Sequence, residues 1–295
     1  MTLQLHDDAP GDLRNAAYLA VACDLAYLDA TKGPEQYRSQ LGLDAKLISV
    51  DNTQVFIGEN ETSIVAAFRG SEAPDSIDGF KDWLLTNANN FLILPEGRIG
   101  TDFAAAGVGA RFHRGFMSAL ADIWEPMFAA LDQAIRKSQR PLWITGHSLG
   151  GAVALLSAWR LQQQFVPIHE VYTFGAPMIG NELAAQAFEK EFPGKIFRFV
   201  DDLDVVPLLP TVSLIANTYT HCQAEQILGG AATDPDGRPD TPAGALFKTL
   251  GNRAADGIMN LSLMDEVWGC LKDRLAHHMM TNYQAKIGEK RNTSV

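Results

Sequence analysis

Apolar and β-branched residues gather in three short runs near the start of the chain, at 46–50, 54–58 and 63–68. Turn-forming Asp51-Asn52 and Glu59-Asn60-Glu61 separate them, so the pattern predicts three short strands. Ahead of them, 13–28 is apolar but carries Arg14 and Asp24, which predicts an amphipathic helix packed on a domain. Beyond a polar, Gly-rich stretch at 71–110, which holds an apolar island at 82–94, apolar residues return at helical spacing over 116–137. An alternation then follows: strand 142–145, helix 151–165, strand 170–174, helix 181–191 and strand 195–200. Strands alternating with helices require parallel pairing and crossover connections. A short strand at 217–221 and a helical stretch at 258–283 complete the pattern, with a Gly/Pro/Asp loop at 229–244 between them. There are no repeats and no convincing linker. The expectation is one α/β domain over 1–295, with a mostly parallel central sheet flanked by helices and a loop insertion at 229–257.

Composition narrows the function classes. The 295 residues are 46% apolar, enough for a sizeable core, and the formal net charge is −11. That charge argues against nucleic acid, because no basic patch is available to release phosphate counterions, and it disfavours docking on anionic membranes. Three cysteines, Cys23, Cys222 and Cys270, cannot all pair within one chain, and none has metal-ligand spacing, so buried thiols are expected. The segment 13–28 is too short and too charged to span a membrane. The polar first ten residues show no signal peptide, so the expectation is a cytoplasmic protein for the chain as it stands, or a secreted one if a leader had been removed.

The chemistry concentrates at Gly146-His147-Ser148-Leu149-Gly150-Gly151. Gly-x-Ser-x-Gly alone is weak evidence. Here an apolar strand precedes it and a helix-forming run follows, the setting in which it works as a nucleophile elbow. The turn leaves no room for side chains at Gly146 and Gly150, lifts the Ser148 hydroxyl above the sheet, and aims the Leu149 N–H at an oxyanion forming beside it. A serine needs a base, and the base needs an orienting acid. In the α/β-hydrolase arrangement these follow in the order acid, then histidine. Strand 195–200 runs into Asp201-Asp202-Leu203-Asp204-Val205-Val206-Pro207, offering three carboxylates that spacing alone does not separate. Asp201 and Asp202 read as solvated loop residues; Asp204 precedes an apolar wall where burial is easiest. Of seven histidines, chain order favours His277 or His278. His169 reads as a surface residue and His147 as the elbow's variable position.

At this point the residues resemble a family. Arg69-Gly70-Ser71, Phe112-His113-Arg114-Gly115-Phe116, the elbow, Thr173-Phe174-Gly175-Ala176-Pro177 and Arg198-Phe199-Val200 with Asp204-Val205-Val206-Pro207 look like the successive motifs of class 3 lipases. The resemblance runs from about 13 to 283 and implies an α/β-hydrolase fold with a lid. It implies Ser148 as nucleophile, Asp204 as acid and, from the late His-x-x-x-Asn-Tyr pattern, His278 as base. It also implies Ser71 as an oxyanion-hole residue beside Leu149, and structural roles for His113 and His221. Two departures stand out. His277 occupies a position that is acidic in many members, and Asp201-Asp202 is unusually acidic, which would make His278 more basic than an ordinary imidazole.

In such a family the lid follows the first oxyanion residue, here 72–90, with Ile77, Phe80, Trp83 and Leu84 on its apolar face. Val206 and Leu208 are candidate wall residues of an apolar acyl pocket. The implied function is a serine carboxylester hydrolase, a triacylglycerol or acylglycerol lipase or esterase that uses an acyl-enzyme and no cofactor or metal. Its partners would be an acyl ester or lipid substrate and, transiently, a lipid interface. Phospholipase A1 and feruloyl esterase use the same triad; from another class comes a non-catalytic α/β-hydrolase-fold binding protein, which retention of all the candidates disfavours.

Overall fold

In a computed structural model, residues 3–70, 92–94, 97–208, 219–229, 274 and 276–293 are described, without the side chains of 97–99 and 208. Seven strands form the central sheet: β1 (Asp44–Val50), β2 (Thr53–Glu59), β3 (Ile64–Phe68), β6 (Leu142–His147), β7 (Glu170–Phe174), β9 (Ile196–Asp201) and β11 (Glu225–Leu228). Their order across the sheet is β1-β2-β3-β6-β7-β9-β11. The first three pair antiparallel as a meander, and every pair from β3 to β11 is parallel. A small antiparallel sheet of two-residue strands joins β4 (Leu92–Ile93), β5 (Phe112–His113), β8 (Gly180–Asn181) and β10 (Tyr219–Thr220).

Strand periodicity sorts the core into two layers. On β3, Ile64, Ala66 and Phe68 join one cluster while Val65 and Ala67 join the other; on β6, Leu142 and Ile144 part from Trp143 in the same way. The first cluster packs under the long helix α4 (Arg114–Lys137) and under α5 (Leu149–Gln163). The second packs under α1 (Leu13–Leu25), α2 (Lys32–Leu41) and the C-terminal helix α7 (Met280–Thr293). Helices therefore cover both faces of a mostly parallel sheet, as the alternating pattern requires. Strands β3, β6, β7 and β9 are buried along most of their length, which explains their near-continuous apolar runs.

Some elements differ from expectation. The Gly/Ala-rich stretch at 95–109 contains a helix, α3 (Gly97–Ala104), anchored where the Trp159 Nε1–H donates to the Asp102 carbonyl and Arg160 pairs with the Asp102 carboxylate at 2.9 Å. The last helix reaches Thr293, ten residues past the expected end. Helix α6 (Glu182–Glu191) begins where the Asn181 side chain accepts from the Ala184 N–H. The expected helix over 258–273 and the loop beyond 229 lie outside the described residues. Among the described residues, no helix is long and apolar enough to cross a membrane.

Candidate active site

The elbow sits where β6 hands over to α5. Ser148 has φ 57° and ψ −131°, a conformation that costs a non-glycine residue about 1–3 kcal/mol and persists only where surroundings enforce it. The enforcement is steric. A Cβ on Gly146 would lie 2.3 Å from the Gly150 carbonyl oxygen, and one on Gly150 would lie 2.3 Å from the Phe68 carbonyl oxygen on β3. The Ser148 N–H donates to the Phe174 carbonyl at 3.0 Å, tying the turn to β7. Leu149 opens α5, in the first turn, where N–H groups have no intrahelical acceptor and the helix dipole is positive.

The acid candidate lies just past β9. Asp204 has its side chain fully buried. Its Oδ1 accepts from the Val206 N–H at 2.9 Å, and its Oδ2 accepts from His278 Nδ1 at 2.8 Å and from the Tyr283 hydroxyl at 2.7 Å. With the carboxylate accepting, the proton of a neutral His278 sits on Nδ1 and Nε2 keeps its lone pair. Gly175 makes room for this pair. Its φ is +59°, and a Cβ there would lie 2.8 Å from Asp204 Oδ2 and 3.0 Å from His278 Nδ1. His278, not His277, therefore meets Asp204. His277 is half-buried, with its Nδ1 3.9 Å from Asp201 Oδ2.

Asp201 is not the solvated loop residue that its sequence suggests. It is completely buried, and its carboxylate accepts from the Leu203 N–H at 2.9 Å, from Lys286 Nζ at 2.6 Å and from the Asn282 amide. Lys286 also reaches Asp202 at 3.1 Å, so one α7 cation answers both carboxylates beside Asp204. Asn282 and Tyr283 thus act together: the amide holds Asp201, and the phenol accepts from the Asp201 N–H at 3.2 Å while donating to Asp204.

The other histidines have structural surroundings. His113 caps α4, its Nδ1 accepting from the Phe116 N–H at 3.2 Å; burial pushes its pKa down to about 3. His221 donates from Nε2 to the Pro207 carbonyl at 2.6 Å, bracing the turn after Asp204; burial, with nearby Arg198, brings it down to about 3. His169 is half-buried against the edge of Trp143 rather than fully on the surface. Cys23 and Cys222 are buried free thiols, and burial raises both thiol pKa values. Among the described residues no group of His, Cys, Asp and Glu could hold a metal ion. Val206 is buried in the short 3-10 turn Val206–Leu208. Ser71, Phe80, Trp83, the side chain of Leu208 and the whole segment 72–90 lie outside the described residues.

One neighbour of the site left no trace in the sequence pattern. His147 is buried, and its ring lies 4.6 Å from that of His278. Its hydrogen-bond partners stand 120 and 131 positions away in the chain, so local spacing carries no sign of them.

The chain matches the class 3 lipase family over residues 65–214. It is 30% identical over 167 residues to secreted mono- and diacylglycerol lipase 3 of Gibberella zeae, a match covering 55% of this chain and 49% of that protein. It is 35% identical over 174 residues to secreted mono- and diacylglycerol lipase 1 of Fusarium solani, covering 57% and 46%. The chain thus spans about half the length of these relatives. The solved Yarrowia lipolytica LIP2 lipase shares the fold, with TM-score 0.63 at 20% identity over 80% of this chain and 90% of that one. With a family match across half the chain and the same sheet-and-helix architecture beneath it, this protein belongs to the class 3 lipase family.

Proposed function

We propose that this protein is a serine carboxylester hydrolase that cleaves acylglycerols. The observation that carries the reading is the 2.8 Å contact between His278 Nδ1 and the buried Asp204 carboxylate, beside an elbow that holds Ser148 at positive φ. In this reading Ser148 Oγ attacks the ester carbonyl while His278 Nε2 takes its proton. Asp204 holds the imidazole in the tautomer that leaves Nε2 free of hydrogen and stabilises the imidazolium as it forms. The tetrahedral oxyanion is held by the Leu149 N–H and by Ser71. Collapse expels the alcohol, protonated by His278, and leaves the acyl group on Ser148. Water, deprotonated by His278, then releases the fatty acid and restores the serine. No step uses a cofactor or a metal.

The substrate class rests on the relatives, two of which are named for mono- and diacylglycerols. The segment 72–90 is the lid in this account, with Phe80 and Trp83 on the acyl side and Val206 and Leu208 on the pocket wall. The same relatives are named as secreted, which favours export of this protein. Rates on mono-, di- and triacylglycerols and on acetyl to palmitoyl esters, below and above the solubility limit, test the assignment. Preference for partial glycerides and a rise at the interface support it. Activity confined to short dissolved esters would make the protein an esterase and remove the lid function from 72–90.

A further inference from the structure

The proposed chemistry needs a base held at fixed separation from its nucleophile, and a single side chain bridges the two backbones. His147 immediately precedes Ser148. Its Nε2 lies 2.7 Å from the backbone carbonyl oxygen of His278, and its Nδ1 lies 2.7 Å from the Tyr27 hydroxyl. A carbonyl oxygen only accepts, so Nε2 carries the hydrogen. Burial keeps this ring neutral, so Nδ1 carries the lone pair and the Tyr27 O–H donates to it. Donation therefore runs one way, from Tyr27 to His147 to the carbonyl of His278. The chain of bonds joins the turn after α1, the elbow and the base.

We propose that His147 is a positioning residue for the reaction, a neutral imidazole that ties the backbone of His278 to the elbow, with Tyr27 fixing its tautomer. The inference rests on the reading of His278 as the base. The segment that carries His278 enters from the far end of the chain, just ahead of α7, so no covalent neighbour of Ser148 sets its height. The His147–His278 bond sets it instead, and 4.6 Å ring contact leaves the two imidazoles in register. Neutrality matters here. Tyr27, Tyr283 and His278 are the titratable rings that face His147, and burial holds its own pKa well below the usual imidazole range. A cation at this position would oppose the imidazolium that His278 must become. Space is equally constrained, since a Cβ on Gly70 would fall 2.2 Å from the Tyr27 hydroxyl and 3.1 Å from the Ser148 Cβ.

The test compares His147→Phe, His147→Gln and Tyr27→Phe in the full chain, by kcat and KM on a soluble p-nitrophenyl ester and by the rate of phosphonylation. His147→Phe keeps the ring and loses both hydrogen bonds; kcat and phosphonylation should fall about 100-fold, the scale of an ångström-sized misplacement, with KM within about threefold. Glutamine keeps an N–H for the His278 carbonyl and should recover about tenfold of that loss; Tyr27→Phe should cost about three- to tenfold in kcat. A kcat within about twofold of the parent in His147→Phe, or equal losses in the Phe and Gln variants, would overturn the proposal. Should His147→Phe not fold, Tyr27→Phe decides alone: reduced kcat at constant KM supports the relay, and unchanged kcat overturns it. Hydrolysis surviving in His278→Ala would instead sink the assignment of the base, a separate result.

Discussion

Tyr283→Phe removes one oxygen from the centre of the site and nothing else. That oxygen donates to Asp204 Oδ2 at 2.7 Å and accepts from the Asp201 N–H at 3.2 Å, with Tyr283 wholly buried. The variant therefore loses a hydrogen bond to a carboxylate, a loss of about 1.5–3 kcal/mol, and leaves a buried N–H with one partner fewer, at about 1–3 kcal/mol. The two bonds share one oxygen and are not additive, so about 2–4 kcal/mol of destabilisation is expected. For a chain of 295 residues that lowers Tm by about 3–6 °C. Asp204 keeps the Val206 N–H and His278 Nδ1–H, so the acid stays in place but turns more freely about its side-chain bond. The expected kinetic result is a fall in kcat of about tenfold at nearly constant KM. Thermal denaturation followed by circular dichroism, together with steady-state hydrolysis of a soluble ester, checks both. A variant with parental Tm and parental kcat would refute the claim that this hydroxyl braces the acid.

Other consequences follow from the same geometry. Gly175→Ala would place a methyl group 2.8 Å from Asp204 Oδ2 and 3.0 Å from His278 Nδ1 at a residue with φ +59°, so kcat should fall at least about 100-fold while the protein still folds, as active-site titration against circular dichroism would show. His113 and His221, each held down to about 3, are neutral when folded but take up a proton near pH 6.5 when unfolded. Their contribution to stability is full above that value and is lost as pH falls from about 6.5 toward 3. By pH 5 the loss is on the order of 1–2 kcal/mol for each, and urea midpoints at pH 7 and pH 5 should show a smaller drop in His221→Gln than in the parent. Ser148→Ala should lower kcat by roughly 10⁴–10⁶-fold with the fold intact; unchanged ester hydrolysis in that variant would end the serine-hydrolase reading.

What the sequence made legible follows from where the information lies. Strand–helix alternation from 142 to 201 is local, and the structure places those elements within a few residues of expectation because buried parallel strands need continuous apolar runs. Helix α2 is not legible in the pattern because its buried stripe is only Gly33, Tyr37 and Leu41, in a segment that also carries Pro34. Helix α3 was hidden by Gly97 and Gly100, poor helix formers held in place by tertiary contacts to α5. The choice among Asp201, Asp202 and Asp204 needs partners from α7 and from His278 just ahead of it, about eighty residues on, and charge alone makes Asp201 look solvated. The role of His147 is invisible in the local pattern for the same reason: its two hydrogen-bond partners arrive from opposite ends of the chain.

The central claim is that Ser148 is a nucleophile activated by His278 and Asp204. Its most direct test is mass-spectrometric mapping of the adduct formed when the folded protein meets a fluorophosphonate. The account predicts one adduct, on Ser148, formed at least about 100-fold more slowly in His278→Ala and in Asp204→Ala. Absence of an adduct, or an adduct whose rate ignores both substitutions, would contradict it.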